Sequence, residues 1–228
     1  MKNKKALLCS IAIFCFVPLC FAAPIYGPRM PEKKQFFVGA QTHWVEKRYL
    51  EKEYGRTASL QHFLLISYGI ADWLSLDLKG GAGSIRTKPS TAETIEYTSG
   101  LAGGYGFRLR LHEAERSKIV FGFQHISVHP ESTQIGEKRY KAVLDDWQFS
   151  LLASYAFSRA TAYLGTRWSR MDHIHWVESD RKRERSDFTK SVGVIAGVEV
   201  PMNRNLWITV EASTLDAESV AVSVTKAF

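Results

Sequence analysis

Cysteine is scarce in this sequence and is confined to one end of it. The three cysteines, Cys9, Cys15 and Cys20, all lie in the first 20 of 228 residues. A chain without cysteine beyond that point cannot be a small secreted fold stapled by disulfides. Long apolar runs are equally scarce, because Ala6 to Cys20 is the only one. Each span of a membrane-helix bundle needs about 20 consecutive apolar residues, so that class is excluded as well.

The N-terminal segment has the pattern of an export signal. Lys2, Lys4 and Lys5 form a basic region, the apolar run follows, and small residues at the end predict cleavage after Ala22. Residues 1–22 are therefore predicted to be a signal peptide, leaving 206 residues without cysteine. Removing three lysines lowers the formal net charge from +7 to +4. That charge is too mild to indicate a nucleic-acid partner.

The rest of the chain alternates apolar and polar residues with a period of two. The chain contains 6 Trp, 9 Tyr and 13 Phe, more aromatics than a disordered chain would have. Phe36, Val38 and Trp44, for example, share one face of a segment whose other face carries Gln41 and His43. Ten such strands are predicted, at about 35–44, 59–68, 74–82, 96–111, 119–124, 147–157, 161–171, 188–200, 206–213 and 219–228.

The connections between these strands alternate in length. Short turns follow strands two, four, six and eight, whereas longer charged segments, 46–57, 86–94, 129–145 and 176–187, follow strands one, three, five and seven. This asymmetry is typical of outer-membrane barrels. We therefore predict an all-β fold over residues 34–228: a closed, antiparallel, up-and-down transmembrane β-barrel. Ten strands are expected, with eight as the alternative, behind an irregular leader at 23–33.

The face opposite the apolar one carries glycines and charges in mid-strand. In a narrow closed barrel these residues share the lumen, where both signs of charge can pair. A soluble barrel is the alternative interpretation of the same alternation. The predicted lumen network consists of Asp77, Lys79, Glu96, Arg108, Arg110, Lys118, Arg167, Glu199 and Glu211.

Three segments carry a family resemblance. The turn Tyr68–Leu74, the strand segment Tyr163–Arg167 and the C-terminal alternation ending in Phe228 resemble the bacterial outer-membrane β-barrel superfamily of small OmpA-like and OmpW-like barrels. Lys226 departs from the pattern, which more usually has an apolar residue there. The resemblance implies export to the periplasm and residence in a Gram-negative outer membrane.

The resemblance also implies partners. These are outer-membrane lipid, lipopolysaccharide and the barrel-assembly machinery, which would read Val220, Val222, Val224 and Phe228 as a terminal signal. We expect a monomer with a structural, surface-interaction or narrow-pore (porin-like) role, and neither a cofactor nor a metal.

Two short motifs leave an enzyme open as an alternative. His125 and Ser127 fall on the lipid side, and the pair is similar to the His-x-Ser of lipid A deacylases, with Glu137 (or Glu131) as the acid of an esterase. The run from Asp172 to His175 resembles the acid–histidine pairs of omptin proteases, and its two histidines are half of a metal site.

A third segment is rich in charge. The run from Glu178 to Asp187 is expected to be a solvated loop, and its arginines are candidates for contact with lipopolysaccharide phosphates.

Overall fold

Strands dominate the computed structural model, which describes residues 26–228. Two short 3-10 helices, η1 (Glu51–Glu53) and η2 (Phe188–Lys190), lie in connections. The strands are β1 (Phe36–Tyr49), β2 (Gly55–Ala71), β3 (Leu74–Pro89), β4 (Ile95–Glu113), β5 (Ser117–His129), β6 (Thr133–Ile135), β7 (Lys138–Ala156), β8 (Thr161–Val177), β9 (Asp180–Arg185), β10 (Val192–Pro201), β11 (Leu206–Thr214) and β12 (Ala217–Ala227).

Ten of these strands close into an antiparallel barrel. Its order is β1-β2-β3-β4-β5-β7-β8-β10-β11-β12, and β12 pairs with β1 to complete the circle. At this seam the backbone N–H of Phe228 donates to the carbonyl of Phe36 at 2.8 Å. The short strands β6 and β9 pair only with β7 and β8, beyond the barrel wall. The prediction of ten barrel strands is confirmed.

The distribution of side chains is the reverse of that in a soluble protein. Large apolar residues cover the outer surface, and Leu101, Leu64 and Leu164 are 79%, 68% and 60% exposed. Polar and charged residues such as Asp77 and Arg167 are buried inside. A continuous apolar exterior of this kind needs an apolar environment. Within residues 26–228 no helix is long and apolar enough to span a membrane.

The two ends of the barrel differ. Short turns connect β2 to β3, β4 to β5, β7 to β8 and β10 to β11 at one end, where β1 starts and β12 finishes. We call this the turn end and the opposite one the loop end. The strands extend further toward the loop end than predicted, so the connections there are shorter than expected.

One predicted loop is a strand. Asp180–Arg185 forms β9 and pairs with β8 from Asp172 to Val177. The chain reverses at Glu178, whose φ is 56°. Charged residues are compatible with a strand that projects beyond the apolar band into water, because both of its faces are solvated. The loop prediction for residues 178–187 was therefore wrong over most of its length.

Apolar side chains also occupy part of the interior. Toward the loop end the lumen contains a buried apolar cluster that includes Phe63, Ile85, Tyr97, Val128 and Leu144. A smaller cluster of Phe37, Trp207 and Ala227 lies near the turn end. The predicted signal peptide, residues 1–22, lies outside the described residues, as does the beginning of the leader.

Candidate functional site

Near the turn end, the lumen is organised around one buried ion pair. Arg108 on β4 donates from Nε and Nη2 to the two carboxylate oxygens of Asp77 on β3, at 2.9 and 2.7 Å. Neither side chain is more than 4% exposed. Two parallel hydrogen bonds between a guanidinium and a carboxylate make a strong, directional contact. The pair therefore fixes the position of the third guanidinium nitrogen, Nη1.

That nitrogen holds the N-terminal segment inside the barrel. Arg108 Nη1 donates to the backbone carbonyls of Tyr26, Gly27 and Arg29, at 3.2, 3.1 and 2.5 Å. Residues 26–31 thus lie in the lumen at the turn end, whereas the sequence predicted only an irregular leader before the first strand. The chain itself occupies the space that a solute would have to cross.

Further contacts fasten the same segment. The Arg29 guanidinium lies 4.5 Å from the ring centroid of Trp207 and 3.8 Å from the Glu199 carboxylate. Gly27 has a φ of 75°, and a Cβ there would lie 2.7 Å from Glu199 Oε1. Glycine is favoured at this position because its positive φ is unfavourable for other residues, and because a Cβ would force the Glu199 carboxylate to move.

A second ion network lies nearer the loop end. Arg167 on β8 donates from Nε and Nη2 to Asp216 at 2.9 and 2.5 Å, and both side chains are fully buried. Arg48 lies 3.9 Å from Asp216 and 3.3 Å from Asp146. Asp146 also accepts from Ser169 Oγ at 2.7 Å. Two arginines and two aspartates therefore cross-link β1, β7, β8 and the β11–β12 connection through the lumen.

The nine charges predicted for the lumen divide into two groups. Six are buried inside the barrel: Asp77, Lys79, Arg108, Arg167, Glu199 and Glu211. The other three, Glu96, Arg110 and Lys118, are not. Arg110 and Lys118 both pair with Glu113 at the turn-end rim, where β4 ends and β5 begins.

Glu96 faces outward because of a β-bulge. Between Gly83 and Ile85 of β3, the opposite strand advances from Gly100 to Tyr97 and so has one extra residue. An extra residue reverses which side chains face inward beyond it. Tyr97 is consequently 3% exposed and lines the lumen, whereas the Glu96 side chain is 73% exposed. The sequence pattern predicted that Glu96 would face the lumen and that Tyr97 would face outward.

Several buried polar residues were missed. Arg48, Asp146 and Asp216 lie in or beside segments predicted as connections, where alternation gives no face assignment. His43 was placed on the inner face but not recognised as a network member. Its Nδ1 lies 2.9 Å from Gln61 Oε1, and its Nε2 lies 3.0 Å from Ser219 Oγ. The predicted lumen set has five basic residues and four acidic ones, and this excess of bases was the one signal that a further acid had to be nearby.

The outer surface carries a second polar cluster near the loop end. Ser127 Oγ lies 2.7 Å from His129 Nε2 and 2.5 Å from Asp145 Oδ1. His125 Nε2 lies 3.7 Å from the same Asp145 oxygen, and its ring is 4.3 Å from that of Trp147. A hydroxyl between an imidazole and a carboxylate can lose its proton to either of them. The arrangement thus has the groups of a nucleophilic site on the outside of the barrel.

The acid differs from the one predicted. Glu137 lies in the β6–β7 hairpin connection, where its side chain is exposed, and it is not the acid beside Ser127. Asp145 takes the place next to the serine because the β5–β7 register sets Ser127 directly opposite Asp145. His129 was not considered either, although it follows Ser127 by two residues and therefore shares its face.

The run from Asp172 to His175 is split between the two faces of β8. Asp172 pairs with Arg183 on the outer side. His173 and His175 point inward, with ring centroids 5.0 Å apart. Their Nε2 atoms lie 3.1 Å from Thr87 Oγ1 and 3.2 Å from the Tyr54 hydroxyl. The acid therefore cannot assist the histidines as it would in a catalytic pair.

The environment of His173 predicts that the stability of the barrel near its loop end decreases in acid. This part of β8 extends beyond Trp168 and the apolar band, and burial together with the neighbouring His175 lowers the pKa of His173 to about 3. The folded protein therefore favours the neutral ring. The stability that this contributes is complete above the ordinary pKa of 6.5 and is lost as the pH falls from 6.5 toward 3.

Chemical unfolding in detergent at pH 7 and pH 4 measures this effect. We expect the wild-type protein to lose up to about 1.4 kcal/mol per pH unit through this residue. The His173→Gln variant should lose correspondingly less. Identical pH dependence in the two proteins would show that His173 is accessible to protons in the folded state.

These features together define a closed ten-stranded barrel with an apolar exterior and a filled interior that contains both buried ion pairs and apolar clusters. No protein-family model matches the chain, and no curated protein does. Among solved structures, the chain is similar to an outer-membrane channel from Pseudomonas putida F1, at 10% identity over 91% of this chain and 100% of the other, with a TM-score of 0.44.

Two further solved structures show the same level of similarity. The translocator domain of the autotransporter NalP from Neisseria meningitidis is 11% identical over 85% of this chain and 87% of the other, with a TM-score of 0.43. The outer membrane protease OmpT from Escherichia coli is 11% identical over 85% and 91%, with a TM-score of 0.39. Identities this low say nothing about a shared activity.

Proposed function

We propose that the protein is an integral outer-membrane barrel whose lumen is closed to solutes. Its exposed loop end and outer rim then form the surface that interacts with other molecules. The observation that supports this most directly is the position of residues 26–31 inside the lumen, held by Arg108. Of the roles that the sequence left open, a structural or surface-interaction role fits a filled lumen better than a pore does.

The outer-membrane location rests on the inverted side-chain distribution. An edge-free barrel satisfies its backbone hydrogen bonds internally, and its apolar exterior matches hydrocarbon. Membrane fractionation should place the mature protein in the outer membrane, and unheated samples should migrate differently from heated ones in gel electrophoresis. A protein that is fully soluble without detergent would contradict the proposal.

We also propose how the C-terminal strand serves assembly. Val222 and Val224 are exposed on the outer surface of β12, the strand that closes the barrel against β1, and Phe228, which directly follows β12, is exposed as well. Outward apolar side chains on the closing strand are accessible to the assembly machinery before closure. The Lys226 ammonium lies 4.5 Å from the Phe228 ring centroid, so this lysine is accommodated at the rim.

A second candidate function is hydrolysis of lipid esters at Ser127. The observation that favours it is the pair of contacts from Ser127 Oγ to His129 and Asp145. In this reaction Oγ would attack the ester carbonyl while its proton moves to Asp145 Oδ1, the acceptor of its hydrogen bond. The same carboxyl group would then protonate the departing alkoxide, and water would release the acyl group from the serine.

Lipid A incubated with purified protein tests this candidate. Mass spectrometry should show loss of an acyl chain with the wild-type protein, and the Ser127→Ala variant should be slower by about 1,000-fold or more. Ser158→Ala, at an exposed serine of the β7–β8 turn, is the matched control and should remain active. A lipid A spectrum unchanged by the wild-type protein would remove the hydrolase from consideration.

A further inference from the structure

A concave region interrupts the outer wall of the barrel over β1 to β4. It consists of two adjoining depressions of about 320 and 390 Å³ that share Ala58, Arg86 and Glu96. Pockets of a few hundred cubic ångströms are the size that small ligands or lipid headgroups occupy. We call this region the β1–β4 recess.

Bulges and small side chains explain why the wall is concave here. The ladders of β1 shift register just after Val45, and the β4 bulge described above lies on the other side of the recess. Bulges bend and twist a strand locally. Between them Ala58 and Ser84 contribute little side-chain volume to the outer face, and both line the recess. The recess is therefore built into the wall and does not depend on a mobile loop.

The chemistry of the recess changes from apolar to basic toward the loop end. Strand register sets Trp44, Leu60 and Ser84 in one row across the wall, and Trp44 and Leu60 are 52% and 42% exposed. Ala58, Arg86 and Glu96 form the next row, and Arg56 pairs with Lys88 in the row beyond. Rows on one face lie roughly 6.6 Å apart, because successive outward residues are two positions apart in a strand.

The basic groups in the recess outnumber the acidic ones. Arg56, Arg86 and Lys88 line it together with Glu46 and Glu96. Arg86 and Glu96 form an ion pair with a separation of 3.9 Å, and both side chains are more than half exposed. Exposed ion pairs of this kind are weak, so a ligand phosphate can replace the Glu96 carboxylate at little cost.

We propose that the β1–β4 recess binds the phosphate-bearing headgroup of lipid A in the outer leaflet, a proposal that rests on the outer-membrane location inferred above. An aromatic residue such as Trp44 marks the level where hydrocarbon meets headgroups. The cations lie one and two rows above that level, where lipid phosphates lie. Two guanidinium groups can bind a phosphate through paired hydrogen bonds. The acyl chains of the same lipid continue over the apolar wall below Leu60.

Native mass spectrometry of the full mature protein in detergent, titrated with lipid A, tests the proposal. The Arg56→Ala/Arg86→Ala variant should show an apparent affinity for lipid A at least tenfold weaker than the wild-type protein. Ala58→Phe, which fills the recess without changing charge, should weaken binding to a similar extent. Arg159→Ala/Arg204→Ala, which removes the same charge from the turn-end rim, is the matched control and should bind within about twofold of wild type.

The experiments distinguish failure of the recess proposal from failure of the outer-membrane location on which that proposal rests. Every variant must keep the heat-dependent gel shift of a folded barrel, so loss of binding is not loss of folding. Unchanged binding by both recess variants would overturn the proposal, as would an equal loss in the turn-end control. Phosphatidylglycerol that competes as well as lipid A at equal phosphate concentration would overturn the choice of lipid A. If the protein does not reside in the outer membrane, the fractionation experiment will show this independently of lipid A binding.

Discussion

Replacing Arg108 with alanine is expected to lower the free energy of unfolding by about 3 to 5 kcal/mol, because the change leaves a buried carboxylate without its partner. Asp77 is fully buried and receives two hydrogen bonds from this guanidinium. The three carbonyls of residues 26, 27 and 29 lose the same donor. Equilibrium unfolding in urea, followed by tryptophan fluorescence and gel mobility, measures the difference.

Arg110 provides a matched control on the same strand. It lies two residues further along β4 with its side chain on the same face, but it pairs with Glu113 at the rim, where the acid is 39% exposed. Arg110→Ala should therefore change the free energy of unfolding by less than about 1 kcal/mol. A double variant lacking both Arg108 and Asp77 should be more stable than the sum of the single effects predicts. Equal losses for Arg108→Ala and Arg110→Ala would show that the lumen pair is not desolvated as the structure indicates.

Removal of Asp216 should destabilise the barrel to a similar extent, about 3 to 5 kcal/mol, since it leaves buried guanidinium groups facing one another. Arg167 donates two hydrogen bonds to this carboxylate, and Arg48 lies 3.9 Å away. Urea unfolding of Asp216→Ala measures the loss. Asp180→Ala, which removes an acid from an exposed pair with Lys182, should change stability by no more than about 0.5 kcal/mol.

Gly193 gives an independent check on the same network. A Cβ at Gly193 would lie 2.0 Å from Asp216 Oδ1, so Gly193→Ala alone should be strongly destabilising. In the Asp216→Ala background that clash is absent, and the additional effect of Gly193→Ala should be much smaller. Strict additivity of the two substitutions would contradict the position of the Asp216 carboxylate.

Alternation along the strands was enough to predict the fold. Residues 38–44 show why: apart from Thr42 the outward residues are apolar, and the inward ones are small or polar, which sets both the faces and the strand. The same rule failed at Glu96 and Tyr97, because a bulge reverses the faces without any change in composition that a reader of the sequence could detect. Strand ends were also misjudged, since charged residues beyond the apolar band can continue a ladder in water.

The sites were less predictable than the fold, for a physical reason. Ser127 was identified from its spacing to His125, but its contact with Asp145 depends on the register between β5 and β7, which are joined by a 3-residue strand and two connections. Asp216 reaches the lumen because the β11–β12 connection turns inward at Leu215, with a φ of 81°. The recess arises from outward side chains on four strands, so no short sequence window contains it.

Single-channel recording in planar bilayers tests the central claim, a barrel closed by its own side chains and by residues 26–31, most directly. The wild-type mature protein, inserted in folded form as judged by the heat-dependent gel shift, should show no steady conductance. Variants that release the N-terminal segment, Arg108→Ala first among them, should conduct more often than wild type. A steady, open conductance from the wild-type protein would contradict the account.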